Sequence, residues 1–263
     1  MREILCLNNV SLTYQAENGE VSALENVSIS AGEGELIAIV GPSGCGKSTL
    51  LSLIAGLVSP TKGSVVIAGE QVRGVSGVSA HIGYMLQKDN LLDWRTIRSN
   101  VLIGLEIRKI LTPENVAYVD GLLATYGLSE FQYKYPSQLS GGMRQRAALI
   151  RTLAAKPELL LLDEAFSALD YQTRLAVTDD VFRILKSKKK TAVIVTHDIP
   201  ESISMADRIV VMTAHPGCVR AVYNVEFKRP DGSIMPPLER RRDTNFGRLF
   251  NLIWKELDIN VPI

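Results

Sequence analysis

Nine residues constrain this chain more than any other stretch: Gly41-Pro42-Ser43-Gly44-Cys45-Gly46-Lys47-Ser48-Thr49. Two glycines with four residues between them, followed by Lys and a hydroxyl side chain, form the pattern of a phosphate-cradling loop. The chemistry needs these types. Glycines let backbone N–H groups turn toward phosphate oxygens, Lys47 brings a positive charge to the terminal phosphates, and Ser48 offers a hydroxyl oxygen to magnesium. The run Glu35 to Val40 ahead of the loop is continuously apolar, as buried parallel strands are. Lys47 to Leu57 behind it has helical spacing, so a helix dipole adds to the same anion site.

The first thirty residues alternate with period two and predict two strands joined by a turn at Glu17 to Glu20. Short strands are expected at Gly63 to Gly69 and His81 to Leu86, then a helical stretch to about Ala155. Thr112-Pro113-Glu114 starts a helix within it, and Gly127 is a stop. Leu159 to Asp163 and Ala192 to Val195 read as strands flanking a helix from Tyr171 to Leu185, a parallel βαβ arrangement. Strands at Arg208 to Met212 and Val219 to Val225 follow. The tail is a turn-rich linker and a helix with Phe246, Leu249, Phe250, Ile253, Trp254 and Leu257 on one face, expected to pack on its own domain. The charged runs Lys186 to Lys190 and Arg240 to Arg242 are expected to be solvated faces.

Leu159 to Leu162 end in Asp163 and Glu164. A buried strand that delivers two carboxylates to its carboxyl end puts them where ligands bind in open α/β sheets. With the glycine loop upstream, Asp163 is expected to hold magnesium and Glu164 to act as a general base toward a terminal phosphate. Ser140-Gly141-Gly142 opening a helix makes a second set of free N–H donors beside a hydroxyl, another anion site.

Leu139-Ser140-Gly141-Gly142-Met143-Arg144-Gln145-Arg146 resembles the LSGGQ-type signature of ABC ATPases, with Met143 where Gln is common. In the family's order, Tyr14 resembles the adenine-stacking aromatic, Gln87 the Q-loop glutamine, Ser167-Ala168-Leu169-Asp170 the D-loop, and Thr196-His197-Asp198 the H-loop. The resemblance implies an α/β P-loop NTPase with a RecA-like core, an antiparallel β subdomain and an α-helical signature subdomain at about 88–155. It implies an ABC domain over 1–228 and a C-terminal linker and helix over 229–263. ATP and Mg2+ would be the cofactors, with Ser48, Gln87 and Asp163 as metal ligands. Glu164, His197, Gln87 and Lys47 would be catalytic. Ser140, Gly141 and Gly142 would act in trans in a head-to-tail homodimer, with Asp170 in the D-loop.

Tyr135-Pro136 before the signature and the stretch Thr196 to Arg208 look like bacterial import ATPases. Leu91-Leu92-Asp93-Trp94-Arg95-Thr96 is similar to the LLPWRT segment of the nitrate, sulfonate, taurine and bicarbonate group, with Asp93 in place of proline. The resemblance implies integral-membrane permease partners, indirectly an extracytoplasmic solute-binding protein, and a location on the cytoplasmic face of the membrane. The alternative is a soluble ABC ATPase working on nucleic acid, ribosomes or iron–sulfur assembly. A formal net charge of +1 argues against a large positive field for nucleic acid. The three cysteines have no C-x-x-C spacing and suit a reduced compartment. Cys45, beside Lys47, is expected to be either a reactive thiol or a small buried side chain under the loop. His81 and His215 are expected to be structural or at the surface.

Overall fold

Two hydrophobic patterns build two sheets. The computed structural model describes residues 2–16, 19–74 and 81–258; positions 17 and 18 of the expected first turn and the end of the tail lie outside them. The alternating pattern gives β1 (Glu3–Ala16) and β2 (Gly19–Gly32), an antiparallel pair. With β4 (Lys62–Ile67) and β5 (Glu70–Gln71) they form a four-stranded sheet in the order β2-β1-β4-β5. The continuous apolar pattern gives β3 (Leu36–Val40), buried at every position.

Around β3 a six-stranded sheet runs in the order β10-β9-β3-β8-β7-β6. Its members are β6 (Ile82–Met85), β7 (Leu159–Asp163), β8 (Thr191–Val195), β9 (Arg208–Met212) and β10 (Val219–Asn224). All pair in parallel except the edge strand β10. The carboxyl ends of β3 and β7 therefore share one edge of the sheet, with β8 between them. Leu5, Val27, Val65, Ile39, Leu161 and Val193 meet between the two sheets, and Leu51 of α1 (Lys47–Ile54) joins them.

The first helix ends at Ile54, short of the expected Leu57. Gly56 has φ +70°, and a Cβ there would stand 2.8 Å from the Gly74 carbonyl oxygen, so the chain turns left-handed and leaves the helix.

Helices α2 (Ile97–Ile107), α3 (Pro113–Thr125) and α4 (Gly141–Ala154) form the helical layer. Each has a hydroxyl cap: Thr96 accepts from the Ser99 N–H, Thr112 from Asn115 and Ser140 from Met143. Their apolar faces (Val101, Leu105, Leu122 and Leu149 among them) share a cluster with Leu160 and Leu162 of β7, which fixes the layer to the sheet.

The chain continues through α5 (Tyr171–Ser187), α6 (Ile199–Met205), α7 (Pro237–Arg240) and α8 (Thr244–Asp258). In α8, Ile253 is fully buried, and Phe246, Leu249, Phe250 and Leu257 pack with it on the cluster of Ile203, Ile209 and Val211. Trp254 departs from the expected stripe. It lies at the edge of the apolar face, is half exposed, and stacks on Phe250 at 5.8 Å.

Arg240 corrects the expectation of a solvated charge run, for it is 1% exposed. Its guanidinium donates to the carbonyls of Met235 (2.9 Å) and Ala206 (2.7 Å) and sits 4.7 Å from the Phe182 ring centre. Burial holds its pKa down to about 10, still cationic at neutral pH. A planar fork that meets carbonyls and aromatic faces together is a task for Arg and not for Lys. Among the described residues no helix is long and apolar enough to cross a membrane.

Candidate nucleotide site

The glycine loop leaves the end of β3 and enters α1, and each of three glycines answers a different local demand. Gly44 and Gly46 have φ +78° and +92°, where an L side chain is strained. A Cβ on Gly46 would also stand 2.7 Å from Leu24 Cδ2, and one on Gly41 would stand 2.7 Å from Cys45 Sγ. Pro42 accepts the Cys45 N–H through its carbonyl at 3.3 Å, which closes the turn. Lys47 is buried; its ammonium donates to the carbonyls of Gly41 (2.7 Å) and Pro42 (2.9 Å).

Cys45 resolves to the second of its two expected states. Its side chain is 0% exposed and packs in the core beneath the loop, with Sγ 3.6 Å from Lys47 Nζ. The thiol presents no surface to a reagent in this conformation, so the reactive reading is corrected by burial rather than by charge.

The carboxyl end of β7 delivers Asp163 and Glu164 as the sequence implies. Burial, then the adjacent Glu164 charge, push the Asp163 carboxyl above its ordinary range, while hydrogen bonds from Tyr84 and Ser48 and the charge of Lys47 pull it back. Tyr84 Oη donates to Asp163 Oδ2 at 3.4 Å. The Tyr84 phenol is itself raised, first by burial and then by the Asp163 charge. A half-buried carboxylate that already interacts with the Ser48 hydroxyl is a hard-oxygen donor pair, and a cation there would relieve the repulsion from Glu164. The residues fit magnesium.

Glu164 takes φ +45°, a strained angle for a side chain with a Cβ, and its N–H is fixed to the Val195 carbonyl at 2.8 Å. That turn aims the carboxylate at two partners. Gln87 Nε2 donates to Glu164 Oε2 at 3.1 Å, and His197 Nδ1 lies 3.2 Å from Glu164 Oε1. Gln87 also donates to Ser167 Oγ at 3.3 Å.

A cavity of about 670 Å³ opens above the loop. Tyr14, Ser43, Gly44, Gly46, Lys47, Ser48, Thr49, Glu164 and His197 line it, with Val21 and Ala23 on the Tyr14 side. His215 lines it too, which the sequence reading missed. No motif marks that position. The loop carrying it is held by Gly217, whose N–H donates to the Ala23 carbonyl at 3.0 Å, and whose bare α-carbon allows the Cys45 carbonyl to lie against it. His81, expected to be structural or at the surface, pairs with Glu158 at 2.8 Å.

The signature lies apart. Gln87, Gly141, Ala168 and Leu169 border a second cavity of about 600 Å³, and Ser140, Gly141 and Gly142 are absent from the lining of the first. Ser140 Oγ accepts the Met143 N–H at 3.4 Å. A Cβ on Gly142 would stand 2.7 Å from Thr173 Cγ2, so this glycine lets α4 approach α5. Asp170 caps α5, taking the Thr173 N–H at 3.0 Å, and hydrogen bonding from the Thr173 side chain and then from that N–H holds its carboxyl below the usual range.

A parallel sheet with a glycine loop on its central strand, and with paired carboxylates two strands away, defines a P-loop nucleoside triphosphatase. The family model "ABC transporter" matches residues 24–167. YtlC of Bacillus subtilis, an ABC transporter ATP-binding protein, is 47% identical over 254 residues, covering 97% of this chain and 95% of YtlC. The taurine import ATP-binding protein TauB of Roseobacter denitrificans is 36% identical, covering 95% of this chain and 94% of its own. A solved dimeric post-hydrolysis state of the ATP-binding cassette MJ0796, bound to ADP and Pi, superposes with a TM-score of 0.73 at 32% identity, covering 85% of this chain and all of that one. The chain belongs to the ABC transporter ATP-binding family, and it is an ATPase.

Proposed function

We propose that this chain is the ATP-hydrolysing subunit of an importer, working as a head-to-tail homodimer against integral-membrane permease subunits. The observation that carries the reading is the Glu164 carboxylate, held between Gln87 and His197 at the rim of a cavity floored by the glycine loop. Tyr14 would stack on adenine, and the N–H groups of residues 41–49 would cradle the phosphates, with Lys47 turning from its loop carbonyls to the terminal ones. Glu164 would accept a proton from the attacking water, and His197 would meet the charge that develops on the γ-phosphate. Ser48, Asp163 and Gln87 would hold Mg2+, whose charge offsets that of the β and γ oxygens when it is bound.

The separation of the signature from this cavity supports a composite site, because Ser140 and Gly142 can serve a phosphate only across a dimer. TauB is named for taurine import, and a small sulfonate or similar anion is the solute we assign. The subunit would then sit on the cytoplasmic face of the membrane through the permease, with an extracytoplasmic solute-binding protein on the far side. Affinity isolation of the tagged chain from detergent-solubilised membranes tests this. An integral-membrane permease should co-purify in near-equal amount, and its ATPase rate should rise with taurine-loaded binding protein. Isolation without any membrane protein would overturn the importer reading.

A further inference from the structure

Behind the catalytic rim lies a second set of polar contacts. Thr196 follows β8 and is 2% exposed. Its hydroxyl donates to Glu201 Oε2 at 2.6 Å, and its oxygen accepts the Asp198 N–H at 3.0 Å. Glu201 is 4% exposed on α6, and burial pushes its carboxyl up to about 7. Asp198 caps α6 through Oδ1, taking the Glu201 N–H at 2.9 Å. Its Oδ2 takes Arg174 Nη1 at 3.3 Å.

Arg174 spans the remaining gap. Its Nη2 donates to the carbonyls of Ser167 (3.2 Å) and Leu169 (2.8 Å), just before Asp170. Ser167 Oγ donates to the Glu164 carbonyl at 2.9 Å. The contacts close a ring: His197 to its neighbours Thr196 and Asp198, to Arg174, to the 167–169 turn, to Glu164, and back to His197.

Burying a carboxyl is unfavourable unless a hydrogen bond or an opposite charge compensates it. Here the partner is the hydroxyl next to His197 in the chain, and nothing in the chemistry at the phosphates uses Glu201 directly. We propose that Glu201, acting through Thr196, and Arg174, acting through Asp198, are positioning residues that lock His197 and the 167–170 turn into one rigid unit for hydrolysis. The proposal rests on the nucleotide reading above. The guanidinium reaches three acceptors at once, which an ammonium cannot do with the same geometry.

The test uses the full chain, with ATP turnover and binding of a fluorescent ATP analogue measured in parallel. Arg174→Lys is half-buried and retains the charge, so it should fold; kcat should fall at least tenfold while KM and analogue affinity stay within twofold. Glu201→Gln keeps an amide oxygen that accepts from Thr196 and should retain at least half the wild-type kcat. Glu201→Leu keeps the volume, removes the acceptor, and should lose at least tenfold in kcat at unchanged KM. The proposal is overturned if Arg174→Lys turns over within twofold of wild type, or if Glu201→Gln is as impaired as Glu201→Leu. Lys47→Ala separates the two levels of failure: normal ATP binding in that variant would sink the nucleotide site itself, whatever Arg174 does.

Discussion

The glycine loop and the signature look alike as sequence, each a glycine- and serine-rich segment opening a helix, yet they are built for different ends. The loop's glycines answer backbone angle and close approach: Gly44 and Gly46 are left-handed, and Gly46 and Gly41 have no room for a Cβ. It has a buried lysine of its own and a carboxylate pair on the same sheet edge. In the signature, Gly142 is small because Thr173 of the neighbouring helix is close, while Gly141 meets only Leu169 at an ordinary 3.6 Å. Ser140 spends its hydroxyl on a cap. One region is equipped to hold an anion alone, and the other offers a helix end whose nearby Arg144 is already paired with Asp89 at 3.0 Å, which suits a ligand that arrives already held by another copy.

Ser140→Arg tests that asymmetry most severely. It should leave ATP binding within about threefold and reduce hydrolysis to background. Mixed with Lys47→Ala, it should regain activity, because one composite site of the heterodimer is then intact and the other damaged twice. No recovery in heterodimers verified by native mass spectrometry would break the composite-site reading.

Glu164→Gln comes next. It keeps size and the hydrogen bond from Gln87 but loses the proton acceptor, so kcat should fall by about 10²-fold or more. An ATP-loaded dimer should then accumulate on a sizing column. Near-normal turnover would remove Glu164 from the base role.

The glycines give smaller effects, readable as shifts in urea midpoint. Gly46→Ala meets both a left-handed φ and a blocked Cβ and should cost about 2–4 kcal/mol along with nucleotide binding. Gly142→Ala should cost about 1 kcal/mol, since crowding against Thr173 is partly offset by better helix propensity. Gly141→Ala should be near neutral. Equal losses at positions 46 and 142 would show that the two loops are not built differently.

The smallest effect is chemical. Maleimide should label Cys6 or Cys218, both partly exposed, well before Cys45, and ATP should not alter the order. First labelling at Cys45 would mean that the loop opens to expose its underside.

Much of this is legible in the sequence, because the strongest signals are local. The apolar run at 35–40, the spacing of glycines and lysine, and Thr112-Pro113-Glu114 each act within a few residues, and β3 and the starts of the two helices stand where they were expected, although the helix behind the loop ends at Ile54 and not at Leu57. What stayed hidden depends on the third dimension. Whether Cys45 faces solvent or core is decided by Gly41 and Lys47 packing over it, and whether Arg240 is solvated is decided by Phe182 and by carbonyls from distant segments. His215 enters the cavity because a hairpin after β9 is tied to β2. Trp254 belongs to the helical stripe in sequence but is half exposed and stacks on Phe250, a difference in burial that the pattern of residue types does not show.

The placement of β3 bears on how the molecule is made. Its two hydrogen-bonded neighbours are β8 and β9, which begin 155 and 172 residues after it in the chain. The antiparallel strands β1 and β2, by contrast, are consecutive and can pair as soon as both have left the ribosome. During synthesis the outer sheet has the opportunity to form first, while the strand that carries the phosphate loop waits for lateral support until residue 195 has emerged on one side and residue 212 on the other. ATP therefore has little to bind on a nascent chain, and truncated translation products should carry an open, sticky strand edge rather than a working cassette.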